Sequence, residues 1–158
     1  MRLVCAGLRV TNFERSLRFY RRVLGLRLVK QGDTRSWGGG RWALLADPRS
    51  RRVIELNWYP RTSMFYAPYR AGDALDHLDF SVGAISRTRF EAIYRGLLRR
   101  GARPTRYHPG TTEGWMASVL DPDGIWITIG RSPTAAERRR MREASGAGRP
   151  KGRKKRAA

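Results

Sequence analysis

The same order of predicted strands and helix occurs twice within the first 130 residues of the chain. Glu55 follows Cys5 by fifty residues and Thr128 follows His77 by fifty-one, so nearly the same spacing separates two corresponding pairs of positions. Each half reads as a strand, a helix and three further strands, which is a βαβββ module. We therefore predict an α+β fold in which paired βαβββ modules form a curved eight-stranded half-barrel sheet with the helices on the outside.

Both predicted helices have apolar residues at helical spacing on one face. Each is preceded by a residue that commonly caps a helix and is followed by a glycine, which can adopt the left-handed conformation that ends one. The helices are predicted over residues 13–24 and about 88–100, with N-caps at Asn12 and Ser86 and C-terminal glycines at Gly25 and Gly101.

The predicted strands are short apolar or alternating runs between the helices and turns. The last two are joined by Asp121-Pro122-Asp123-Gly124, a sequence typical of a tight turn because proline fixes φ and glycine tolerates a positive φ. The strands are predicted near residues 8–10, 26–29, 42–45, 53–56, 77–82, 105–107, 115–120 and 125–129.

Length and charge divide the chain into a folded domain and a tail. We predict one domain over residues 1–130, made of module one (1–59), a linker (60–73) and module two (74–130). Residues 131–158 contain eleven basic and two acidic residues together with several glycines, so we predict a basic, disordered tail.

The net charge of +20 comprises +11 in residues 1–130 and +9 in the predicted tail. Arginines scattered along the domain are typical of a solvated surface, so the domain itself is not predicted to bind nucleic acid. The tail has no aromatic residue for base stacking, which favours a solubilising extension; the alternative is weak, non-specific and salt-dependent binding of nucleic acid. The lack of a long apolar run or of a cleavable signal pattern predicts a cytoplasmic protein without membrane contact.

Four corresponding positions on the first and last strands of the modules form the candidate site: Cys5, Glu55, His77 and Thr128. Glu55 is the most informative, because a carboxylate within Val-Ile-Glu-Leu requires a metal, a cation or hydrogen bonds if it is buried. A thiolate, a carboxylate and an imidazole can hold a divalent metal with an open position. In the alternative interpretation, Cys5 is a small core residue, Thr128 an ordinary strand residue and His77 a hydrogen-bonding histidine.

The chain resembles the vicinal oxygen chelate superfamily, the group of glyoxalases, bleomycin resistance proteins and extradiol dioxygenases, over about residues 3–130. The segments near Glu55 and before His77 are most similar to the lactoylglutathione lyase (glyoxalase I) branch. The segments that carry the resemblance are Leu8-Arg9-Val10, Ser16-Leu17-Arg18-Phe19-Tyr20, Leu24-Gly25-Leu26, Ile54-Glu55-Leu56-Asn57-Trp58-Tyr59-Pro60, Leu75-Asp76-His77-Leu78-Asp79-Phe80 and Asp121-Pro122-Asp123-Gly124.

In that branch a divalent metal is held by a histidine on the first strand, a glutamate on the fourth, a histidine that opens the second module and a final glutamate. The resemblance therefore implies Glu55 and His77 as ligands of Zn, Ni, Mn or Fe. Cys5 replaces the first histidine, and Thr128 replaces the final glutamate as a poor ligand. Glu55 is also the candidate catalytic residue, since glyoxalase chemistry uses a glutamate to move a proton between adjacent carbons. Because threonine stands in place of the final glutamate, the alternative that the protein binds no metal stays open.

The segment between the modules is rich in aromatic residues and can line a pocket for an apolar or aromatic ligand that carries an acidic group. An aromatic linker that simply covers the sheet is the alternative. The candidate pocket residues are Trp58, Tyr59, Tyr66, Tyr69, Arg70 and, from a later loop, His108.

The favoured function is a metal-assisted lyase or isomerase of the lactoylglutathione lyase type, acting on a small molecule through vicinal oxygen chelation and proton transfer. The alternative is a metal-free binding or resistance protein on the same fold, for which an anionic ligand suits the net charge of +11. An extradiol-type dioxygenase ranks third, because its iron site requires two histidines and only His77 occupies a matched position. We also expect a homodimer, because half-barrel edges are usually paired.

Overall fold

The structure is a computed structural model that describes residues 5–34, 38–49, 53–70, 75 and 77–145. Its strands and helices follow the predicted βαβββ order twice and then add one helix. The strands are β1 (Ala6–Arg9), β2 (Arg27–Asp33), β3 (Arg41–Ala46), β4 (Val53–Trp58), β5 (His77–Ala84), β6 (Arg103–Pro104), β7 (Met116–Leu120) and β8 (Trp126–Ser132). The helices are α1 (Phe13–Arg18), which continues into a π-helical turn (Phe19–Val23), α2 (Arg87–Arg99) and α3 (Ala135–Ala144).

The strands form two four-stranded mixed sheets with the same topology. The strand order is β1-β4-β3-β2 in sheet one and β5-β8-β7-β6 in sheet two. In each sheet the first and last strands of the module run parallel and the other pairs are antiparallel. The α+β class and the paired modules are thus confirmed. Among the described residues, the eight strands of one chain do not join into one continuous sheet.

The first helix differs from a regular α-helix at its C-terminal end. The amide of Leu24 donates to the carbonyl of Phe19 at 3.2 Å, five residues earlier, which widens the last turn. The wider turn buries both Tyr20 and Val23, whereas Leu24, predicted on the apolar face, is only half-buried. Gly25 has a φ of 80° and ends the helix as predicted.

The other predicted helix boundaries are confirmed. The side chains of Asn12 and Ser86 accept hydrogen bonds from the amides of Arg15 and Arg89, so both residues cap their helices. Gly101 has a φ of 95° after α2.

One hydrophobic core extends through both modules. Each sheet packs one face against its helix, and the fully buried members include Leu45 and Leu56 of sheet one and Val119 and Ile127 of sheet two. Tyr20 joins the modules inside this core, because its hydroxyl donates to Asp121 Oδ2 at 2.9 Å and both residues are buried.

The predicted turn between the last two strands, Asp121-Pro122-Asp123-Gly124, also holds module one. Within it, Asp121 Oδ1 accepts the amides of Asp123 and Ile125, both at 2.8 Å, and Gly124 has a φ of 90°. The Asp123 carboxylate bonds the hydroxyl of Thr11, the guanidinium of Arg15 and the hydroxyl of Ser16, at the start of α1. Burial raises the pKa of Asp121, and hydrogen bonds from Ile125 and Tyr20 oppose that shift.

Two strand predictions were displaced. β2 extends to Asp33 instead of ending at residue 29, because a bulge between Leu28 and Lys30 lets the pairing with β3 continue. β6 covers Arg103–Pro104 instead of 105–107, although the carbonyl of Tyr107 still accepts the amide of Ser118 at 2.8 Å.

The predicted boundary at residue 130 and the disorder of the whole tail need correction. β8 continues to Ser132 and α3 follows it. Arg131 is buried and donates to both carboxylate oxygens of Glu137, at 2.9 and 3.0 Å, which fixes the start of α3. Sequence reasoning missed this ion pair because Arg131 was assigned to the predicted disordered tail, where a charged side chain is expected to be solvated. Residues 146–158 lie outside the described part, so the rest of the tail stays a prediction.

Within the described ranges, no helix is long and apolar enough to cross a membrane.

Candidate functional site

Each sheet has one face in the core and one open face. In sheet one, Leu8 and Leu56 point into the core, so their neighbours Gly7 and Glu55 lie on the opposite face. Gly7, Glu55 and Leu44 are register partners in one row across β1, β4 and β3. Glu55 is only half-buried on this face. Its carboxylate therefore does not have to be compensated as a fully buried charge would.

The strand register makes the predicted correspondence between the modules explicit. Gly7 pairs with Glu55 in sheet one, and Asp79 pairs with Thr128 in sheet two. Glu55 and Thr128 are therefore equivalent positions on β4 and β8. Cys5 precedes Gly7 by two residues, as His77 precedes Asp79, so these two positions correspond as well.

The open face of sheet two borders a cavity of about 980 Å³. His77 of β5 and Thr128 of β8 both line it, so the structure brings together the two candidate site residues of module two. Thr128 shares a hydrogen bond with Ser118 of β7 at 3.2 Å. Arg106 and Tyr107 line the rim of the cavity, where the guanidinium lies 5.0 Å from the centroid of the tyrosine ring.

His77 has a carboxylate beside it that sequence reasoning did not select. Asp79 Oδ2 lies 3.3 Å from His77 Nε2, and both side chains are exposed, at 69% and 43% respectively. The signal was present in the sequence, because residues two apart on a strand point to the same side. The repeat does not single out Asp79, because Gly7 occupies the corresponding position of module one.

The four candidate positions are not assembled by one chain. No group of three or more histidine, cysteine, aspartate or glutamate side chains is close enough to hold a metal within the described residues. Glu55 belongs to the open face of sheet one, and His77 and Thr128 belong to that of sheet two. Cys5 is half-buried immediately before β1, on the sheet-one side. The described part of a single chain therefore places the candidate residues in two groups, one on each sheet.

The aromatic pocket candidates near the end of β4 have different environments. Tyr59 lies under the guanidinium of Arg9, 5.2 Å from the ring centroid, and its ring centroid lies 5.5 Å from that of Phe65. Arg9 lies two residues after Gly7 on β1, so both point to the same side of the strand. The stacked pair of Arg9 and Tyr59 therefore borders the open face that carries Glu55. Trp58 instead packs against the hydrophobic core. Tyr66 is exposed in the linker.

The remaining pocket candidates do not line the cavity of sheet two. Burial raises the pKa of Tyr69, and the nearby charges of Asp121 and Asp123 raise it further, which places this residue near the junction of the modules. Arg70 is exposed at the end of the described linker. His108 lines a separate cavity of about 400 Å³ between α2 and the loop after β6, together with Tyr94 and Arg95. Its Nδ1 accepts the amide of Gly110 at 3.2 Å.

The sequence and the fold both match known proteins. The model of the Glyoxalase/Bleomycin resistance protein/Dioxygenase superfamily matches residues 2–129. Lactoylglutathione lyases of Neisseria meningitidis serogroups A and B are each 35% identical to the chain over 138 residues, which cover 80% of this chain and 88% of the relative.

Solved structures show the same fold at lower identity. Glyoxalase I of Leishmania major, described as trypanothione-dependent, has a TM-score of 0.65 at 21% identity and covers 93% of this chain and 94% of its own. The fosfomycin resistance protein FosX of Listeria monocytogenes has a TM-score of 0.59 at 13% identity and covers 87% of this chain and 94% of its own. With a family model that spans both modules and relatives that match along most of their length, the chain belongs to the Glyoxalase/Bleomycin resistance protein/Dioxygenase superfamily.

Proposed function

We propose that the protein is a metal-dependent lyase or isomerase of the lactoylglutathione lyase type, which acts on a small molecule with two adjacent oxygen atoms. The observation that carries this proposal is the placement of a carboxylate, Glu55, and an imidazole, His77, on the open faces of two modules of the same topology. The 35% identity to lactoylglutathione lyases along 80% of the chain supports the same reaction class.

A homodimer would complete the site. Because sheets one and two of a chain are separate, the open face of one copy's sheet one can meet the open face of another copy's sheet two. Glu55, with Cys5 nearby, would then face His77 across the interface. Such an arrangement also covers both open faces, which a monomer leaves in contact with water.

The donor set fits a divalent cation. Carboxylate oxygen, imidazole nitrogen and thiolate sulfur are ligands of Zn²⁺ and of similar first-row metals. The cation would polarise the two adjacent oxygens of the bound substrate. Glu55 and His77 would hold it, with Cys5 as a further donor. Thr128 shares its hydroxyl with Ser118 and would contribute no ligand.

The residues around the site suit an anionic substrate. Glu55 would transfer a proton between adjacent substrate carbons, since a partly exposed carboxylate can accept and return one. Arg9, stacked on Tyr59, supplies a positive charge beside the same open face, and Arg106 does so at the rim of the sheet-two cavity. These arginines would orient a carboxylate group of the substrate.

Metal content and activity test the proposal together. The purified protein is loaded separately with nickel, zinc, manganese or iron(II), and elemental mass spectrometry then counts metal per chain for the wild type and Glu55→Ala. The loaded proteins are assayed with the hemithioacetal of a 2-oxoaldehyde and glutathione. We expect about one metal per chain and turnover in the wild type, with loss of both in the variant. A wild type that binds ligand but never metal would favour the alternative, a binding protein on this fold.

A further inference from the structure

The pair formed by His77 and Asp79 is not explained by stability. Both side chains are exposed, and an exposed contact between a histidine and a carboxylate contributes little to folding. Both residues lie on the open face of sheet two and line the same cavity, away from the core. The pair therefore lies on the solvent-exposed side of sheet two, beside that cavity.

The geometry of the pair suits two ligands of one cation. Bonds of about 2.0–2.2 Å from a divalent metal to nitrogen and oxygen put adjacent donor atoms roughly 2.8–3.6 Å apart at octahedral or tetrahedral angles. His77 Nε2 and Asp79 Oδ2 are 3.3 Å apart, within that range. Their positions two residues apart on β5 direct both side chains to the same side of the strand.

The register gives Asp79 a specific relation to the missing carboxylate. Asp79 is the direct partner of Thr128 across β5 and β8. Neighbouring strands are about 4.8 Å apart, so a carboxylate at either position reaches the same region above the sheet. In module one the carboxylate lies on the last strand instead of the first: Glu55 is on β4, and its register partner on β1 is Gly7. Each module thus has one carboxylate in this row, on different strands.

We propose that Asp79 is a metal ligand that replaces the carboxylate lost at position 128. This inference rests on the proposed function, since it concerns the same metal site. Asp79 and His77 of one copy bind the cation as a pair, and Glu55 of a second copy binds it from the opposite face. The ligand set then contains two carboxylates and an imidazole without a contribution from Thr128.

Asp79→Asn tests the proposal through metal affinity, with no reliance on turnover. The asparagine keeps the size of the side chain and an oxygen that can accept from His77, but it removes the charge. Asp33→Asn is the matched control, because Asp33 is also an exposed carboxylate on a strand. Its Oδ1 lies 3.7 Å from Nε of the Arg41 guanidinium. Zinc and nickel binding are measured by equilibrium dialysis with elemental mass spectrometry. We expect metal affinity to fall at least about tenfold in Asp79→Asn, because substitution of residues that only support the ligands of a metal site typically lowers affinity about 10-fold or more. The control should change affinity by less than about twofold.

A second substitution distinguishes a ligand from a residue that only orients His77. The double variant Asp79→Asn/Thr128→Glu moves the carboxylate to the register partner, and we expect it to recover most of the affinity. A residue that merely holds the imidazole would not be replaced by a carboxylate on β8. Metal affinity that is lost in Asp79→Asn and not restored in the double variant would therefore refute the proposal that Asp79 takes the place of a carboxylate at position 128.

The remaining outcomes separate this inference from the proposed function. Metal binding that is lost in Glu55→Ala and unchanged in Asp79→Asn would refute the role of Asp79 and leave the metal enzyme standing. A wild type without metal affinity would refute both.

Discussion

The hydrogen bond between Tyr20 and Asp121 is expected to be a main stabilising contact between the two modules. The hydroxyl of Tyr20 donates to Asp121 Oδ2 at 2.9 Å, and both residues are completely buried. Tyr20→Phe removes the donor and leaves that carboxylate oxygen without this partner inside the core. Hydrogen bonds to charged groups contribute about 1.5–3 kcal/mol, so we expect the free energy of unfolding to fall by about that amount.

Tyr94→Phe is a matched control with the opposite expectation. Tyr94 is also a buried tyrosine of a helix, but its hydroxyl has no hydrogen-bond partner among the residues that the structure describes. A buried unsatisfied polar group costs free energy, so its removal should leave the stability unchanged or raise it by up to about 1 kcal/mol. The same chemical change is thus expected to destabilise the protein at one position and not at the other.

Urea unfolding followed by tryptophan fluorescence measures both variants. Since 1 kcal/mol shifts the midpoint temperature of a protein of this size by about 2–4 °C, Tyr20→Phe should also lower Tm by roughly 3–12 °C. Burial raises the pKa of Asp121, so its ionised form is disfavoured in the folded state. The loss of Tyr20 raises that penalty, and the effect of Tyr20→Phe should be larger at pH 7 than in acid, where the carboxyl is protonated. Equal losses of stability in the two variants would refute this reasoning.

Three other predictions concern the pH dependence, the last turn and the basic helix. The hydrogen bonds and charge of Arg131 lower the pKa of Glu137 from 4.5 to about 2. The stability that this ion pair contributes is therefore present above pH 4.5 and is lost as the pH falls to about 2. The difference in unfolding free energy between the wild type and Glu137→Gln should shrink across that window. Gly124→Ala should cost about 1 kcal/mol, measured by urea unfolding, because Gly124 has a φ of 90° that alanine adopts only with strain; no change would show that the turn tolerates a side chain. Replacing three exposed arginines of α3 with glutamine should reduce the salt dependence of affinity for a fluorescent DNA duplex more than the same change on α2. Equal reductions would mean that DNA responds to the total charge of the protein and not to α3. The two sets are Arg139, Arg140 and Arg142, and Arg89, Arg95 and Arg99.

Local signals in the sequence predicted most of the secondary structure. The caps at Asn12 and Ser86 and the glycines after the helices depend on the residue itself and its nearest neighbours, so no tertiary information was needed. The turn before Ile125 was predictable for the same reason. The π-helical turn was not, because apolar spacing along the chain does not distinguish it from a regular α-helical turn, and its residue Tyr20 bonds Asp121 of the other module.

The candidate site was predictable only as a set of corresponding positions. The repeat spacing paired Cys5 with His77 and Glu55 with Thr128, and the strand register places both pairs at equivalent points. Spacing along a chain does not fix the relative position of two sheets, however, and the structure places Glu55 on a different open face from His77 within one chain. For the same reason His108 was a candidate for the same pocket as the aromatic linker residues, whereas it lines a separate cavity beside α2.

The sequence by itself determined the family, the βαβββ order and which candidate positions of the two modules correspond, because these depend on local pattern and on spacing. The tertiary structure decided which side chains lie together. It joined Tyr20 to Asp121, buried Arg131 against Glu137 and paired Asp79 with Thr128 across β5 and β8. Each of these contacts involves a polar residue whose partner lies on another element or across a strand pair. The free energy of burying or pairing a charge depends on those neighbours, and only the folded chain supplies them.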